Sequence, residues 1–396
     1  MYAKRLDNLP PYLFAQIDAI KAQKRAEGVD LIDLGVGDPD LPTPAHIVDA
    51  LCEAARDPAT HHYPDYLGMI EYRKAVAAWY KNRFGVTLDP AREVLALIGS
   101  KEGIAHIPEA FVNPGDYVLA SDPGYPVYKT STLFAEGKSH LMPLLEENNF
   151  LPDYDAIPKD VVAGAKLMFI GYPNNPTGAV APMKFFDETV EFAKNNDIIV
   201  VHDNAYSEIV FDGNEGMSFL SVPGAMEVGV EFNSLSKTYN LTGARLSFLM
   251  GNRAILERFR ALRTQIDYGL FYVAQRAAIA ALDGPQEGVV RQREEYQRRR
   301  DALCHSFTAA GWNVPEAKGT MFVWAKTPRG WEDDEAFVTE LFARTGILAT
   351  PGSAFASRGK GHVRFALVRP AEELTDCAAR LQASGFLGGF DGRGKR

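Results

Sequence analysis

Residues 198–206 read Ile-Ile-Val-Val-His-Asp-Asn-Ala-Tyr, an apolar run that ends in a carboxylate. A continuous run of this kind predicts a short buried strand, Ile198–His202, with Asp203 directly after it. Ligands of open α/β sheets bind beyond the carboxyl ends of the strands, which is where Asp203 is expected. The stretch therefore predicts a parallel sheet with a carboxylate at its ligand-binding edge. An Asp that caps the following helix is the alternative.

Other short apolar runs repeat this pattern on both sides of residues 198–206. The predicted strands are Val94–Ile98, Tyr117–Ala120, Leu167–Tyr172, Val230–Asn233 and Leu246–Met250. Helical periodicity lies between them, for example in Lys101–Phe111 and Lys184–Asn195. Buried strands that alternate with helices predict an α/β domain with a mostly parallel central sheet, and we expect it over residues 46–284.

The pattern changes after Gly284-Pro285. Glu287–Ala310 has the charge and periodicity of one long amphipathic helix, and Met321–Ala325 and Val363–Leu367 have the pattern of strands. We interpret this region as a smaller α+β domain, formed by residues 285–396 together with an N-terminal arm, residues 1–45.

Composition excludes several classes of function. The 396 residues are 46% hydrophobic and carry a net charge of −9, which argues against a surface for nucleic acid or anionic membranes. No apolar run is long enough to span a membrane, and the N-terminus lacks the apolar core of a secretory signal. The three cysteines form no CxxC pair, so neither a disulfide framework nor a metal site is expected. A cytoplasmic protein is the resulting expectation.

The segment Ser234-Leu-Ser-Lys237 follows the predicted strand Val230–Asn233. A lysine at a strand end can form an imine with an aldehyde cofactor and later move a proton, with Ser234 and Ser236 near a phosphate. Arg245 follows eight residues later and suits a phosphate as a bidentate partner. Taken alone, the segment equally fits a surface lysine beside two capping serines.

Three other strand ends carry polar or aromatic groups. Gly99-Ser100-Lys101 opens a helix, whose first N–H groups favour a phosphate, although a plain Ser cap is as common. Asn175 lies in a turn rich in Pro and Gly, and Tyr125 offers a ring for stacking in what could also be a packed turn. Together with Asp203 and Lys237, these strand ends supply every contact that pyridoxal 5′-phosphate (PLP) requires.

Taken in order, the motifs resemble those of the class I and II aminotransferases of PLP fold type I, the aspartate aminotransferase-like fold. The resemblance covers nearly the whole chain. The matching motifs are Gly35-Val-Gly-Asp-Pro-Asp40, Tyr63 five residues before Gly68, Gly99-Ser-Lys101, Pro123-Gly-Tyr125, Asn174-Asn-Pro-Thr-Gly178, Asp203-x-x-Tyr206, Ser234-x-Ser-Lys237 with Arg245, and Val363-Arg364-Phe.

The resemblance implies a role for each residue around the cofactor. Lys237 resembles the lysine that carries PLP as a Schiff base, and Asp203 resembles the partner of the pyridine nitrogen. Asn175 and Tyr206 resemble the donors to the ring hydroxyl, and Tyr125 resembles the stacking ring. The residues that resemble the phosphate cup are Ser100, Lys101, Ser234, Ser236 and Arg245.

The same resemblance implies the substrate contacts and an assembly. Arg364 resembles the arginine that clamps the substrate α-carboxylate, and Gly37 resembles its backbone neighbour. Lys101, Tyr125 and Asn175 are expected to border the substrate as well. Tyr63 is similar to a residue that reaches the phosphate of the neighbouring subunit, which implies a homodimer with shared active sites.

Within the family, Asn8–Phe14, His62–Gly68 and His202–Glu208 are similar to the group of LL-diaminopimelate aminotransferases, in which Tyr12 matches a substrate-facing tyrosine. The implied reaction moves an amino group from an amino acid, LL-diaminopimelate in the first instance, to 2-oxoglutarate in a ping-pong mechanism. Two departures leave the donor open. Ala244 replaces a frequent Trp, and Tyr268 replaces a smaller Ser in a loop that borders the distal pocket.

Other functions compatible with the motifs are an aminotransferase for alanine, aspartate or aromatic amino acids, and a C–S lyase of the same fold. A PLP-binding module without catalysis is a further alternative. The presence of both Lys237 and Asp203 argues against it, because a binding module needs no electron sink.

Overall fold

The computed structural model describes residues 4–9, 21, 26–28 and 30–387 of the chain. Its strands are β1 Ile32–Asp33, β2 Val94–Ile98, β3 Tyr117–Asp122, β4 Lys138–Pro143, β5 Ala165–Ile170, β6 Ile199–Asp203, β7 Gly229–Ser234, β8 Leu246–Gly251, β9 Phe322–Lys326, β10 Ile347–Leu348, β11 Thr350–Pro351 and β12 His362–Ala366. Its α-helices are α1 Ala45–Arg56, α2 Ile70–Phe84, α3 Ser100–Phe111, α4 Val127–Phe134, α5 Lys159–Gly164, α6 Met183–Asn196, α7 Ala225–Val228, α8 Leu235–Thr238, α9 Arg253–Arg263, α10 Tyr272–Asp283, α11 Glu287–Ala309, α12 Asp334–Thr345 and α13 Ala371–Ala383. Short 3₁₀ helices cover Lys4–Asn8, Pro58–His61, Glu146–Asn148, Phe219–Ser221, Gly352–Phe355 and Ser357–Gly359.

A seven-stranded sheet with the order β2-β8-β7-β6-β5-β3-β4 forms the centre of the molecule. Strands β4, β3, β5, β6 and β7 pair in parallel, while β8 runs antiparallel to both of its neighbours, β7 and β2. The predicted α/β fold with a mostly parallel sheet is confirmed. Each of the six predicted strands is present, with ends within two residues of the predicted ones.

The edge strand β4, Lys138–Pro143, was not predicted from the sequence. Its residues read Lys-Ser-His-Leu-Met-Pro, and most of them are exposed or only half-buried. A strand that is only partly buried needs no continuous apolar run, so β4 lacks the pattern by which the buried strands are recognised.

The sheet is apolar on both faces because helices cover both. On one face Met168, Val200 and Phe248 pack with helices that include α2, α6 and α10. On the other face Phe169 and Phe232 pack with α3, α4 and α9. A strand buried on both faces carries apolar residues at successive positions, which explains the continuous runs seen in the sequence.

A second core lies outside the central sheet. It surrounds the antiparallel sheet β11-β12-β9 and packs it against the long helix α11 and the helix α13. The short strand β1 pairs with β10, so residues near the N-terminus join this second core. The grouping of residues 1–45 with 285–396 follows the same division of the chain and remains a prediction.

The longest helix, α11, spans 23 residues and is rich in charged side chains. Within residues 4–9, 21, 26–28 and 30–387, no helix has both the length and the apolar character needed to cross a membrane.

Candidate active site

A cavity of about 400 Å³ opens at the carboxyl edge of the central sheet. Loops that follow β2, β3, β5, β6 and β7 meet there, because parallel strands present their carboxyl ends at the same edge. Twelve of the residues predicted for the site line this cavity. They are Gly37, Ser100, Lys101, Tyr125, Asn175, Asp203, Tyr206, Ser234, Ser236, Lys237, Arg245 and Arg364.

Arg245 reaches this edge for a different reason. It directly precedes β8, and because β8 runs antiparallel to β7, the amino end of β8 lies at the carboxyl edge of its neighbours. The backbone of Arg245 adopts a left-handed conformation with φ of 54°. Its Nη1 donates to the carbonyl of Thr242 at 2.8 Å, which fixes the guanidinium beside the cavity.

Helix α3 begins at Ser100, and its first N–H groups lie at the cavity next to Arg245. Gly99 makes this approach possible, because a Cβ at that position would lie 2.0 Å from Arg245 Nη2. Ser234 caps the short helix α8 by accepting from the N–H of Ser236 at 3.1 Å. A helix N-terminus, two hydroxyl groups and a guanidinium together form a site suited to a phosphate group.

Lys237 lies in α8, with its side chain inside the cavity. Its Nζ donates to the carbonyl of Gly37 at 2.8 Å, and its own carbonyl accepts from Gln292 Nε2 at 2.5 Å. Burial lowers the pKa of Lys237 to about 8, and the nearby charges of Arg364 and Arg245 act in the same direction. The neutral amine, which is the nucleophilic and basic form, is therefore readily available near pH 8.

Asp203 is the last residue of β6 and its carboxyl group is buried at the cavity. Its Oδ2 accepts from the hydroxyl of Tyr128 at 2.9 Å. Its Oδ1 is also buried and has no hydrogen-bond partner among the described residues. Burial raises the pKa of Asp203 above its ordinary value, against the hydrogen bond from Tyr128 and the charge of His202. A cationic or donor group of a bound molecule would satisfy Oδ1.

Arg364 lies on β12 and crosses from the second core to the cavity. Its Nη1 donates to Asn175 Oδ1 at 3.0 Å, and its Nη2 donates to the carbonyl of Gly35 at 2.8 Å. The guanidinium lies over the rings of Phe322 and Phe355, with its carbon 4.0 and 4.7 Å from their centres. Burial lowers the pKa of Arg364 to about 10, so the group remains cationic near neutral pH. A cation fixed in this way suits a carboxylate ligand.

The loop that carries Gly37 is fastened to helix α11. Arg299 is buried and donates to both oxygens of Asp40, at 2.6 and 3.0 Å, and to the carbonyl of Leu367 at 2.9 Å. Thr350 also donates to the carbonyl of Gly35 at 2.8 Å. These contacts fix the loop beside Lys237, so that its backbone forms one wall of the cavity.

Comparison with known proteins identifies the family. Residues 29–381 match the family model described as aminotransferase class I and II. The chain belongs to the class I and II aminotransferases. Proteins of this family depend on PLP, and the predicted PLP-dependent transaminase is thereby confirmed.

Individual aminotransferases are similar over nearly the whole chain. The LL-diaminopimelate aminotransferase of Halothermothrix orenii is 51% identical over 382 residues, which cover 96% of this chain and 98% of that protein. The structure of substrate-bound BacF from Bacillus subtilis matches with a TM-score of 0.93 and 38% identity, covering 97% of both chains. An aspartate aminotransferase mutant from Thermus thermophilus matches with a TM-score of 0.90 and 27% identity, covering 97% of this chain and 99% of that one. The expected PLP fold type I is confirmed.

The residues of this aminotransferase fit PLP. The buried Oδ1 of Asp203, which has no partner among the described residues, offers an acceptor for the protonated ring nitrogen. The close approach of Arg245 to Gly99 beside the first turn of α3 offers a cradle for the phosphate. Lys237 lies in the same cavity as both groups.

One predicted site residue that the structure describes, Tyr63, does not line this cavity. Tyr63 is 80% exposed, and its ring is tilted against that of Tyr268 with centres 4.8 Å apart. Its predicted role in a neighbouring subunit stays a prediction. Tyr12 lies outside the described residues.

Sequence reasoning missed two features of the aminotransferase site. Tyr128 follows the motif Pro123-Gly-Tyr125, and its hydrogen bond to Asp203 was not predicted. Its position three residues after Tyr125, at the start of a helix, was the available signal. Phe322, whose ring supports Arg364, gave no signal beyond that of a buried strand residue.

Proposed function

We propose that this aminotransferase transfers an amino group from LL-diaminopimelate to 2-oxoglutarate. The observation that carries the proposal is the similarity to proteins of that activity over 96% of the chain, at 51% identity for the relative from Halothermothrix orenii. A second such relative, from Moorella thermoacetica, is also 51% identical over 96% of the chain. The cavity described above supplies the side chains that the reaction needs.

Lys237 is the catalytic base and acid in this proposal. When bound, PLP supplies a protonated ring that accepts the electron pair released at the substrate Cα. The neutral amine of Lys237 takes the proton from Cα and delivers it to the C4′ position of the cofactor. The lowered pKa of Lys237, about 8, makes this neutral amine accessible near physiological pH.

Asp203 and the residues around it hold the cofactor. The ionised carboxylate of Asp203 keeps a proton on the ring nitrogen, and Tyr128 orients that carboxylate. Tyr206 and the amide Nδ2 of Asn175 would donate to the ring hydroxyl, since Asn175 Oδ1 already accepts from Arg364. Tyr125 would stack on the ring. The cavity-lining residues Ser100, Lys101, Ser234, Ser236 and Arg245 would hold the phosphate.

Arg364 binds the α-carboxylate, which the amino acid and the keto acid have in common. It is buried, stays cationic and is held in a fixed orientation by Gly35 and Asn175. The backbone at Gly37 borders the same position. Both half-reactions therefore depend on one guanidinium, as a ping-pong mechanism with two α-carboxylate substrates requires.

We further propose a cytoplasmic homodimer whose sites lie at the interface. Exposed aromatic rings cluster on one surface, namely Tyr63, Tyr66, Tyr268 and Phe271. Tyr268 stacks on Tyr66 with ring centres 5.4 Å apart, and its ring contacts that of Tyr63 in a tilted arrangement. A cluster of large exposed rings is the surface that a second copy of the chain would cover.

Complementation between two inactive variants tests the role of Tyr63. A mixed dimer of Lys237→Ala and Tyr63→Ala contains one site with both residues intact if Tyr63 acts in the neighbouring subunit. We expect the mixture to regain activity after dissociation and reassociation of the subunits, while each variant alone has little. No gain in a mixture in which native mass spectrometry identifies the mixed dimer would contradict the role of Tyr63.

A donor panel tests the substrate assignment. We expect LL-diaminopimelate to give the highest kcat/KM with 2-oxoglutarate, because its distal ammonium and carboxylate fill polar positions that shorter donors leave unpaired. The panel compares it with meso-diaminopimelate, lysine, aspartate, alanine and phenylalanine. A higher kcat/KM for aspartate, alanine or phenylalanine would overturn the assignment.

The loop residue Tyr268 favours a second candidate, a shorter or aromatic donor. Its side chain is large and exposed beside Tyr63, where it can narrow the distal part of a neighbouring site. Tyr268→Ser should then raise the preference for LL-diaminopimelate over phenylalanine. Tyr268→Phe keeps the ring and removes only the hydroxyl, so it separates the effect of size from that of polarity.

A further inference from the structure

Two buried ionisable side chains, His202 and Glu231, lie behind the candidate active site. His202 directly precedes Asp203 on β6, so its side chain points to the opposite face of the sheet. Glu231 faces it from the neighbouring strand β7, where the two residues are register partners. His202 Nδ1 lies 2.8 Å from Glu231 Oε2, and both side chains are inaccessible to solvent.

Glu231 accepts hydrogen bonds from several other groups as well as from His202. The other donors are Tyr80 Oη at 2.6 Å, Asn204 Nδ2 at 3.1 Å, Ser218 Oγ at 3.0 Å and the N–H of Phe219 at 2.8 Å. Burial raises the pKa of Glu231, but the hydrogen bond and charge of His202 together with the other donors hold it below the ordinary value. An acceptor with this many donors is an ionised carboxylate.

The hydrogen bond to Glu231 fixes a hydrogen on Nδ1 of His202. A carboxylate only accepts, so Nδ1, which lies 2.8 Å from Glu231 Oε2, carries a hydrogen. Nε2 lies 3.1 Å from the carbonyl oxygen of Tyr172 and 3.4 Å from the backbone nitrogen of the same residue, so it can act as a donor or as an acceptor. His202 therefore donates to Glu231 from Nδ1 in both its neutral and its cationic form.

We propose that His202, held by Glu231, is a positioning residue for Asp203. Glu231 binds both His202 and Asn204, the two residues that flank Asp203 in the chain, and so fixes the strand end that presents Asp203 to the cofactor. A positive charge on the ring of His202 in addition favours the ionised form of Asp203. The proposal rests on the role proposed above for Asp203, which is to hold the proton on the ring nitrogen.

The electrostatic surroundings support this role. The charge of His202 lowers the pKa of Asp203 against the larger effect of burial. The tyrosines around the two carboxylates are Tyr80, Tyr128 and Tyr206, and Lys237 and Arg364 line the same cavity as Asp203. Burial raises the pKa of each of these tyrosines, so they stay neutral and add no charge near neutral pH.

His202→Asn tests the proposal, because the Asn amide can still donate to Glu231 but carries no charge. The first measurement is a pH titration of the visible absorbance of bound PLP. If Asp203 holds the ring proton less firmly, the nearby nitrogen of Lys237 becomes easier to protonate, and the midpoint should rise by about half a pH unit. The second is the rate of the half-reaction with L-glutamate as amino donor, which should fall about tenfold.

Ser218→Ala is the matched control, since Ser218 donates to the same carboxylate but is neutral and distant in sequence from Asp203. It should lower the melting temperature while the absorbance midpoint and the half-reaction rate stay unchanged. If His202→Asn does not fold, His202→Gln carries the same test with a longer amide.

An unchanged midpoint in the His202 variant would overturn the proposal, and so would an equal shift in Ser218→Ala. The absorbance readout does not depend on which amino donor the enzyme prefers, so an error in the donor assignment leaves it intact. A wild-type protein that shows no absorbance of bound PLP would instead contradict the proposed site itself.

Discussion

Two buried carboxylates on adjacent strands, Asp203 on β6 and Glu231 on β7, differ in how completely they are hydrogen-bonded. Glu231 faces away from the cavity and accepts from five residues, and its pKa lies below the ordinary value despite burial. Asp203 faces the cavity, accepts from Tyr128 and keeps Oδ1 without a partner among the described residues, and burial raises its pKa.

The difference distinguishes a carboxylate that serves the fold from one that serves a ligand. Burying a charged oxygen without a partner costs free energy, so a fold keeps such an atom only where a bound group will satisfy it. On this interpretation Glu231 belongs to the scaffold, and removing one of its neutral donors that does not flank Asp203 should affect stability. Changes at the Asp203 side should affect catalysis.

The largest effect is expected from Lys237→Ala on the cavity side. Turnover should fall below detection, because the variant lacks the amine that forms the Schiff base and moves the proton, while PLP should still bind through the ring and phosphate contacts. Steady-state assays and absorbance titration with PLP measure the two properties separately. Lys184→Ala, which removes an exposed lysine, serves as the control. Near-normal turnover of purified Lys237→Ala would remove this lysine from the mechanism.

Asp203→Asn should lower the half-reaction rate by roughly two to four decades, since losing a buried charge partner costs on the order of 3–5 kcal/mol. PLP affinity should fall much less. Tyr128→Phe removes only the hydrogen bond to Asp203 Oδ2. It should raise the activation free energy of the half-reaction by about 1.5–3 kcal/mol at most. If the half-reaction rate of Asp203→Asn falls by less than about tenfold, Asp203 does not have the proposed catalytic role that distinguishes it from Glu231.

Arg364→Ala should raise KM in both half-reactions, because both substrates have an α-carboxylate. The loss of a buried bidentate contact predicts about 2–5 kcal/mol in kcat/KM. Arg364→Lys keeps the charge but cannot make the paired contact of a guanidinium. Its kcat/KM should lie between that of the wild type and that of Arg364→Ala. If only one substrate is affected, Arg364 binds a distal carboxylate instead.

On the scaffold side, Tyr80→Phe should change stability and leave catalysis nearly unaltered. It removes one of the donors to Glu231, and a lost hydrogen bond to a buried charge costs about 1–3 kcal/mol. Thermal and urea unfolding of the PLP-bound protein measure the loss, and kcat should stay within about twofold. A large drop in kcat with normal stability would show that Glu231 acts in catalysis. The distinction between Glu231 and Asp203 would then be wrong.

Particular residues show how far the sequence predicted this molecule. The strand ends at Ser100, Asp203 and Lys237 were predicted because buried parallel strands have continuous apolar runs that end at the ligand-binding edge. The edge strand Lys138–Pro143 was missed, because it is only partly buried and lacks such a run. Glu231 was hidden inside the predicted strand Val230–Asn233, since nothing in the local sequence indicates where its partners come from.

The sequence by itself determined the fold class and which residue types meet at the edge of the sheet, because short-range patterns of apolar and polar residues indicate burial and the alternation of strands with helices along the chain. Only the tertiary structure decided the partners. Arg364 contacts Asn175 from 189 residues away, and Tyr80 donates to Glu231 across 151 residues. Pairings of this kind depend on how whole helices and strands pack. The local sequence around either residue does not indicate which distant side chain it will contact. Whether a buried carboxylate is saturated or still has an oxygen available for a ligand is therefore a property of the packed structure.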